Sequence, residues 1–267
     1  MFLKPLLLVH GKMNSMSLLF EVSSTYFKIY CFDQENISKS WILDIGGKSD
    51  IQKKELINDF IIREGISLLD YSDALVFWSN EQTVLVPSNL FENTSAETLL
   101  KLNFGDNFAL NTSDFNRIPY IGVVCVYSIP TWIKSFFVIK FSGTKIIHTS
   151  TAWTKYLCNK NSSGKLIGLI VLDSEFLTFN CFYDNKPLIY IQTKFQEMED
   201  VIYHVSYSLQ QTASVNLDGN IELFDISGRN MNLINSFTEK INNLGLLANI
   251  KFSIHEKVDI AAFKLCV

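Results

Sequence analysis

The chain has 267 residues, 48% of them hydrophobic and 19% charged, a composition that marks a compact globular protein able to form one large domain or two ordinary ones. Its formal charge is -4, and Lys and Arg are scattered singly, so the basic stripe that a phosphate backbone demands is missing and nucleic acid is not expected as a partner. The five cysteines, at 31, 125, 158, 181 and 266, form no CxxC pair and three sit inside apolar strand patterns, which reads as reduced core thiols of a cytoplasmic protein.

Residues 1–16 read as an N-terminal tail: "MFLKPLLLVHGK" is apolar but short, without a cleavage site. No later apolar run reaches the roughly 18 residues of a transmembrane helix. From "SLLFEV" onward the pattern is strand, break, strand, turn, strand, through Ile45. A helix then follows over "SDIQKKELINDFIIREG", with Leu56, Ile57, Phe60 and Ile61 as its apolar face, Ser49 and Gln52 as a capping box and Gly65 as C-terminal cap. Strands at "ALVFW" and "TVLVP" precede a polar, loop-rich stretch over 88–118 and the strand "IGVVCVYSI". Pro130 opens a helix carrying Trp132, Ile133, Phe136 and Phe137. The short strand "KIIHTS" and the helix "TAWTKYLCNK" close a first unit, placed at 17–160.

After the turn "NSSGK" the opening pattern starts again, defining a second unit over 161–267. A shift of 150 aligns Leu19 with Leu169, Ser24 with Ser174, Cys31 with Cys181 and Phe32 with Phe182. The alternation has the same phase: Phe27, Ile29 and Cys31 in one copy, Leu177, Phe179 and Cys181 in the other, each set facing a core. The helix "EMEDVIYHVSYSLQQT" presents Val201, Ile202, Val205 and Leu209. The strand "IELFDIS", a helix with Leu233, Ile234, Phe237 and Ile241 ending at Gly245, and the strand "NIKFSI" complete the copy. Three antiparallel strands and then alternating helices and strands, twice over, predict an α/β protein with an internal duplication.

That duplicated order resembles the actin-like (ribonuclease H-like) ATPase superfamily, in which two related halves face each other across a nucleotide cleft. "VYSIPTWIKSFFVIKFSGTKIIHTSTAWTKYL" is similar to the segment leading into the second half in the actin-like proteins of type IV pilus assembly and type II secretion. "VLVPSNLFE", with the chain length and segment order, is closer still to a bacterial family of uncharacterised proteins, domain of unknown function 3822. The resemblance implies an actin-like fold over residues 17–265 and, in the two first hairpins, the place where such ATPases hold phosphate.

At those places the sequence departs from the ATPase pattern. Asp-x-Gly hairpins let backbone N–H groups approach an anion because glycine has no Cβ. Here the first hairpin carries Glu21, Ser23 and Ser24, and the second Asp173, Ser174 and Glu175, without glycine in either. A carboxylate about 4 Å from a phosphate oxygen costs on the order of 4 kcal/mol unless a metal lies between, so Asp173 or Glu175 would need magnesium. The turn expected to cradle adenosine keeps only Gly228, flanked by Asp225 and Arg229. Asp44-Ile45-Gly46-Gly47 imitates the phosphate signature but ends a third strand and feeds a helix, a position glycine fills without a ligand. The four histidines show no metal-binding spacing, no Gly-x-Ser-x-Gly elbow is present, and His204 with Tyr203 and Tyr207 reads as a partly buried helix edge.

The sequence reading is therefore a catalytically inactive actin-like binding or scaffolding protein with no cofactor and an unidentified protein partner. Its cleft residues are Glu21, Ser23, Ser24, Asp173, Ser174, Glu175 and Gly228. The alternatives are a divergent ATPase or small-molecule kinase using Mg-ATP in the same cleft, and a regulatory module whose cleft takes a small ligand other than a phosphate.

Overall fold

A computed structural model describes residues 16–33, 36–67, 71, 73–91, 96–105, 112–141, 143–160, 162–174, 176–212, 218–226, 234, 236–237, 239–241, 249–255 and 258–266. The chain opens with β1 (Met16–Val22), an apolar run buried on both faces, followed by β2 (Tyr26–Asp33), in which buried and half-buried residues alternate, and the largely exposed β3 (Asn36–Asp44), and the three pair antiparallel in succession. Ser49 and Gln52 form the reciprocal capping box of α1 (Asp50–Arg63), and Gly65 ends it at φ +65°. β4 (Asp73–Trp78) and β8 (Lys145–His148) then add in parallel, giving the sheet order β3-β2-β1-β4-β8.

The second copy repeats this topology. β9 (Leu166–Leu172), β10 (Phe176–Tyr183), β11 (Lys186–Lys194), β12 (Gly219–Asp225) and β13 (Ile250–Ile254) form a sheet of order β11-β10-β9-β12-β13. The correspondence extends to a local irregularity: the register slips between Cys31 and Phe32 in one sheet and between Cys181 and Phe182 in the other. A β-bulge at the same step of both copies is a feature of the repeated unit, since each bulge bends and twists its strand.

Each sheet buries its outer face under helices. Phe27, Ile29 and Cys31 pack with Ile57, Phe60 and Ile61 of α1 and with Ile133 and Phe137 of α3 (Thr131–Lys140). Leu177, Phe179 and Cys181 pack under Val201, Val205 and Leu209 of α5 (Met198–Gln211), together with Ile234, Phe237 and Ile241. The inner faces meet across α4 (Thr149–Cys158) and α6 (Val258–Lys264). There Leu19, Phe77 and Ile147 of the first sheet share one core with Leu169, Val171 and Phe224 of the second, around Trp153.

Several elements differ from the sequence reading. The stretch 88–118 holds α2 (Ala96–Phe104) and β6 (Thr112–Ile118), which joins β5 (Thr83–Pro87) and β7 (Val123–Ile129) in a three-stranded sheet of order β5-β7-β6. Helix α2 commits only Ala96 and Leu100 to the core, and β6 runs on the sheet edge with polar residues, so neither shows an apolar period. Leu56 is exposed, as are Tyr203 and Tyr207, which stack 5.9 Å apart on the outside of α5. Helix α4 starts at Thr149, two residues early, because the His148 ring caps it. Helix α6 was not anticipated. Glu175, Gly228, Arg229, Leu233 and Gly245 lie outside the described residues.

Candidate functional site

The hairpin β1–β2 turns at Ser23, Ser24 and Thr25. Ser23 Oγ accepts from the backbone N–H of Thr25 at 3.1 Å and of Tyr26 at 3.0 Å, while its own N–H donates to the Tyr26 carbonyl at 3.0 Å. In β9–β10 the N–H of Ser174 donates to Asp173 Oδ1 at 2.6 Å, and Asp173 N–H to the Phe176 carbonyl at 2.9 Å. Both turns thus supply a side-chain oxygen of their own for the amides that an anion would use, the ordinary behaviour of Ser and Asp in tight turns. The turns also touch each other: Thr25 Oγ1 and Ser174 Oγ are 2.9 Å apart, a hydrogen bond between residues 149 positions apart in sequence.

Beneath this contact lies a buried polar seam. Glu21 and Asp173 are each about 1% exposed, and both continue the inner faces of their strands, Glu21 after Leu19 and Asp173 after Leu169 and Val171. Lys28 stands opposite Glu21 in the β1–β2 register, with Nζ 3.5 Å from Glu21 Oε2. The same ammonium donates to the Ile226 carbonyl at the end of β12, so it ties one half to the other. Ser79, just after β4, donates its hydroxyl to Asp173 Oδ2 at 3.1 Å. Burial pushes the Asp173 carboxyl above the usual aspartate range; the Ser174 amide, the Ser79 and Ser174 hydroxyls and the Lys28 charge pull it back in part.

A second set of bonds fastens β11 to the first half. Gln192 Nε2 donates to the Asn80 carbonyl at 2.8 Å, and Tyr190 donates its hydroxyl to Ser150 Oγ at 2.9 Å. His148 holds this corner. Its Nδ1 accepts from the Ser150 N–H at 3.1 Å, so the ring proton sits on Nε2 and is donated to Asn80 Oδ1 at 3.0 Å. The ring is fully buried, and burial lowers its pKa to about 3, so it is neutral in the folded protein near neutral pH.

Of the residues singled out from sequence, Glu21, Ser23, Ser24, Asp173 and Ser174 come together around the two hairpins. Asp44 and Gly46 make a local turn, with Gly46 N–H donating to Asp44 Oδ1 at 2.8 Å. Sequence reasoning missed Lys28, Ser79, Asn80 and His148. A signal for Lys28 existed in a lysine placed between Phe27 and Ile29, and one for His148 in its place directly before a helix. Outside the hairpin contact a cleft of about 370 Å³ opens, lined by Ser23 and Ser24, the first turns of α1 and α3, and Phe176 and Lys194 of the second half.

The sequence profile of a family described as "Protein of unknown function (DUF3822)" matches residues 10–239. Among curated proteins none matches. One similar solved structure is a protein from Bacteroides thetaiotaomicron VPI-5482 with actin-like ATPase fold and unknown function. It is 16% identical, with a TM-score of 0.75 over 96% of this chain and 97% of that one. Another is the PilM-PilN type IV pilus biogenesis complex, 10% identical with a TM-score of 0.53, covering 92% of this chain and 89% of that one. At these identities the likeness is one of fold. It agrees with the two equivalent five-stranded sheets: the architecture is the duplicated actin-like ATPase fold.

Proposed function

The chain belongs to the DUF3822 family of proteins of unknown function, and from that premise we propose that it is a catalytically inactive binding or scaffolding protein of the cytoplasm. Its two halves, 17–160 and 161–267, are held together where an ATPase of this fold would hold phosphate. The observation that carries the reading is the direct contact of the two hairpins, Thr25 to Ser174 at 2.9 Å, with the turn amides already accepted by Ser23 Oγ and Asp173 Oδ1. A triphosphate inserted there would break these bonds and bring its charge against the buried carboxylates of Glu21 and Asp173. The partner is a protein. A similar solved structure of this fold, the PilM-PilN pilus biogenesis complex, is itself an assembly of proteins, and this analogy of fold supports the reading.

The test is thermal unfolding with about 1 mM magnesium-ATP. A ligand with a dissociation constant near 10 μM would be present at about 100 times that constant and would add about 2.7 kcal/mol, a readily visible rise in midpoint. The expected result is no rise. A rise that disappears in Asp173→Ala would overturn the proposal in favour of a nucleotide-dependent enzyme with magnesium on that carboxylate.

A further inference from the structure

Two of the five free cysteines, Cys158 and Cys266, belong to the core cluster shared by the inner faces of the two sheets, whereas Cys31, Cys125 and Cys181 lie in the outer cores. β1, β4 and β8 run parallel, as do β9, β12 and β13, and the contact of Thr25 with Ser174 puts the C-terminal ends of both groups on one side of the molecule. Helix α4 starts on that side, directly after β8, and leads through a short loop into the start of β9 on the other. Helix α6 starts there after β13 and runs the same way, since the Phe263 ring near its end stacks 4.5 Å from that of Phe32, which pairs with Ser17 at the start of β1. The two helices are therefore parallel. Their Cα atoms approach within 8 Å, and Cys158, the last residue of α4, and Cys266, two residues past α6, stand at the same end of the pair.

Tyr120, in the short turn Pro119–Ile121 between β6 and β7, marks the place where the thiols meet. Its hydroxyl donates to Cys158 Sγ, and Cys266 lies close enough to act on the same hydroxyl. A cavity of about 340 Å³ opens here, lined by Tyr120, Lys155, Cys158, Asn159 and Leu265. Cys158 is half-buried and reachable through it, while Cys266, next to Leu265, is buried. A disulfide spans about 4.4–6.8 Å between Cα atoms, within reach of two helix ends packed in this way. We propose that Cys158 and Cys266 form a reversible disulfide that staples the last helix of one half to the last helix of the other under oxidising conditions.

A small-molecule disulfide such as oxidised glutathione serves as the oxidant. The Cys158 thiolate attacks one of its sulfurs and expels a glutathione thiolate; the Cys266 thiolate then attacks the Cys158 sulfur and expels the second. The two protein thiols give up two protons and two electrons, and one glutathione disulfide becomes two glutathione thiols. Burial pushes the Cys158 thiol up to about 12 and raises Cys266 as well, an effect that the Lys155 ammonium offsets in part for Cys266. The pair therefore stays protonated and open in a reducing compartment, and the staple closes slowly, in answer to sustained oxidation. It holds whether or not the cleft between the halves takes a nucleotide.

The test equilibrates the full chain with oxidised and reduced glutathione in varied ratio, at about pH 8.5 to raise the thiolate fraction, and maps the cysteines by mass spectrometry. The expected product is one intramolecular disulfide joining the Cys158 and Cys266 peptides, with the other three cysteines free. Its urea midpoint should exceed that of the reduced chain, because the bond closes the long loop between residues 158 and 266. Cys266→Ser should stop at the mixed disulfide of Cys158 with glutathione. Five free thiols after equilibration in oxidised glutathione alone, a bond between other cysteines, or a mixed disulfide on Cys158 that persists in the parent would overturn the proposal. So would a cross-linked protein with a midpoint no higher than the reduced one, since the bond would then strain the native packing instead of stapling it.

Discussion

Lowering the pH sets a proton against the burial of His148. In the unfolded chain this imidazole titrates near 6.5, whereas in the folded protein burial holds its pKa near 3. Its folded pKa is depressed, so its contribution is fully present above pH 6.5 and is lost as the pH falls toward 3. At pH 5 nearly all unfolded chains carry this proton and almost no folded ones do. Linkage then gives a loss of about 2 kcal/mol relative to pH 8, growing to about 3 kcal/mol at pH 4. Asp173 acts in the opposite sense: its folded pKa is raised, so the folded protein takes up its proton first and gains stability as pH falls toward the ordinary aspartate range. The two are separated by comparing the protein with His148→Gln, which cannot titrate and leaves Asp173 in place. Urea unfolding at pH 8 and pH 5 should show the parent losing about 2 kcal/mol more than the variant between the two values. The variant is expected to be the less stable of the two at pH 8, because it loses ring packing on Tyr127, but only the difference between pH values matters. Equal losses in parent and variant would refute the neutral, buried histidine.

Removing the ammonium in Lys28→Met should destabilise the protein by about 3 kcal/mol, because Glu21 stays buried without the charge that faces it. In the double variant Lys28→Met, Glu21→Leu much of that stability should return, and a double variant no better than Lys28→Met in urea unfolding would mean the pair is not coupled. A Cβ added at Gly219 would stand 2.0 Å from the Leu166 carbonyl oxygen, a backbone atom that cannot move aside without breaking the β9–β12 pairing. Gly219→Ala should therefore lower the unfolding midpoint sharply or prevent recovery of folded protein, and a variant with the parent's midpoint would contradict that register.

What the sequence determined by itself is local and periodic. Alternation at Phe27, Ile29 and Cys31 and at Leu177, Phe179 and Cys181 identified the core face of both hairpins. The Ser49 and Gln52 box and Pro130 marked helix starts, and the repeated order of elements marked the duplication. These features depend on φ/ψ preference and on neighbours within a turn or two, so they are written in adjacent residues. The absence of glycine from both hairpins was legible in the same way, but its consequence was not. That Ser23 and Asp173 would take the turn amides, that Thr25 would meet Ser174, and that Lys28 would reach the Ile226 carbonyl required the two sheets to be packed on each other. Helix α6 has the same origin: it is seven residues long, too short to hold an isolated helix, and Val258, Ala262 and Phe263 acquire a core only between the two inner faces. The inner face of β2 reads as polar alternation because Lys28 and Tyr30 look like residues meant for water. Tertiary packing turned that face inward, since burying a second copy's sheet against it removes more apolar surface from water than it strands in polar groups that the seam can pair.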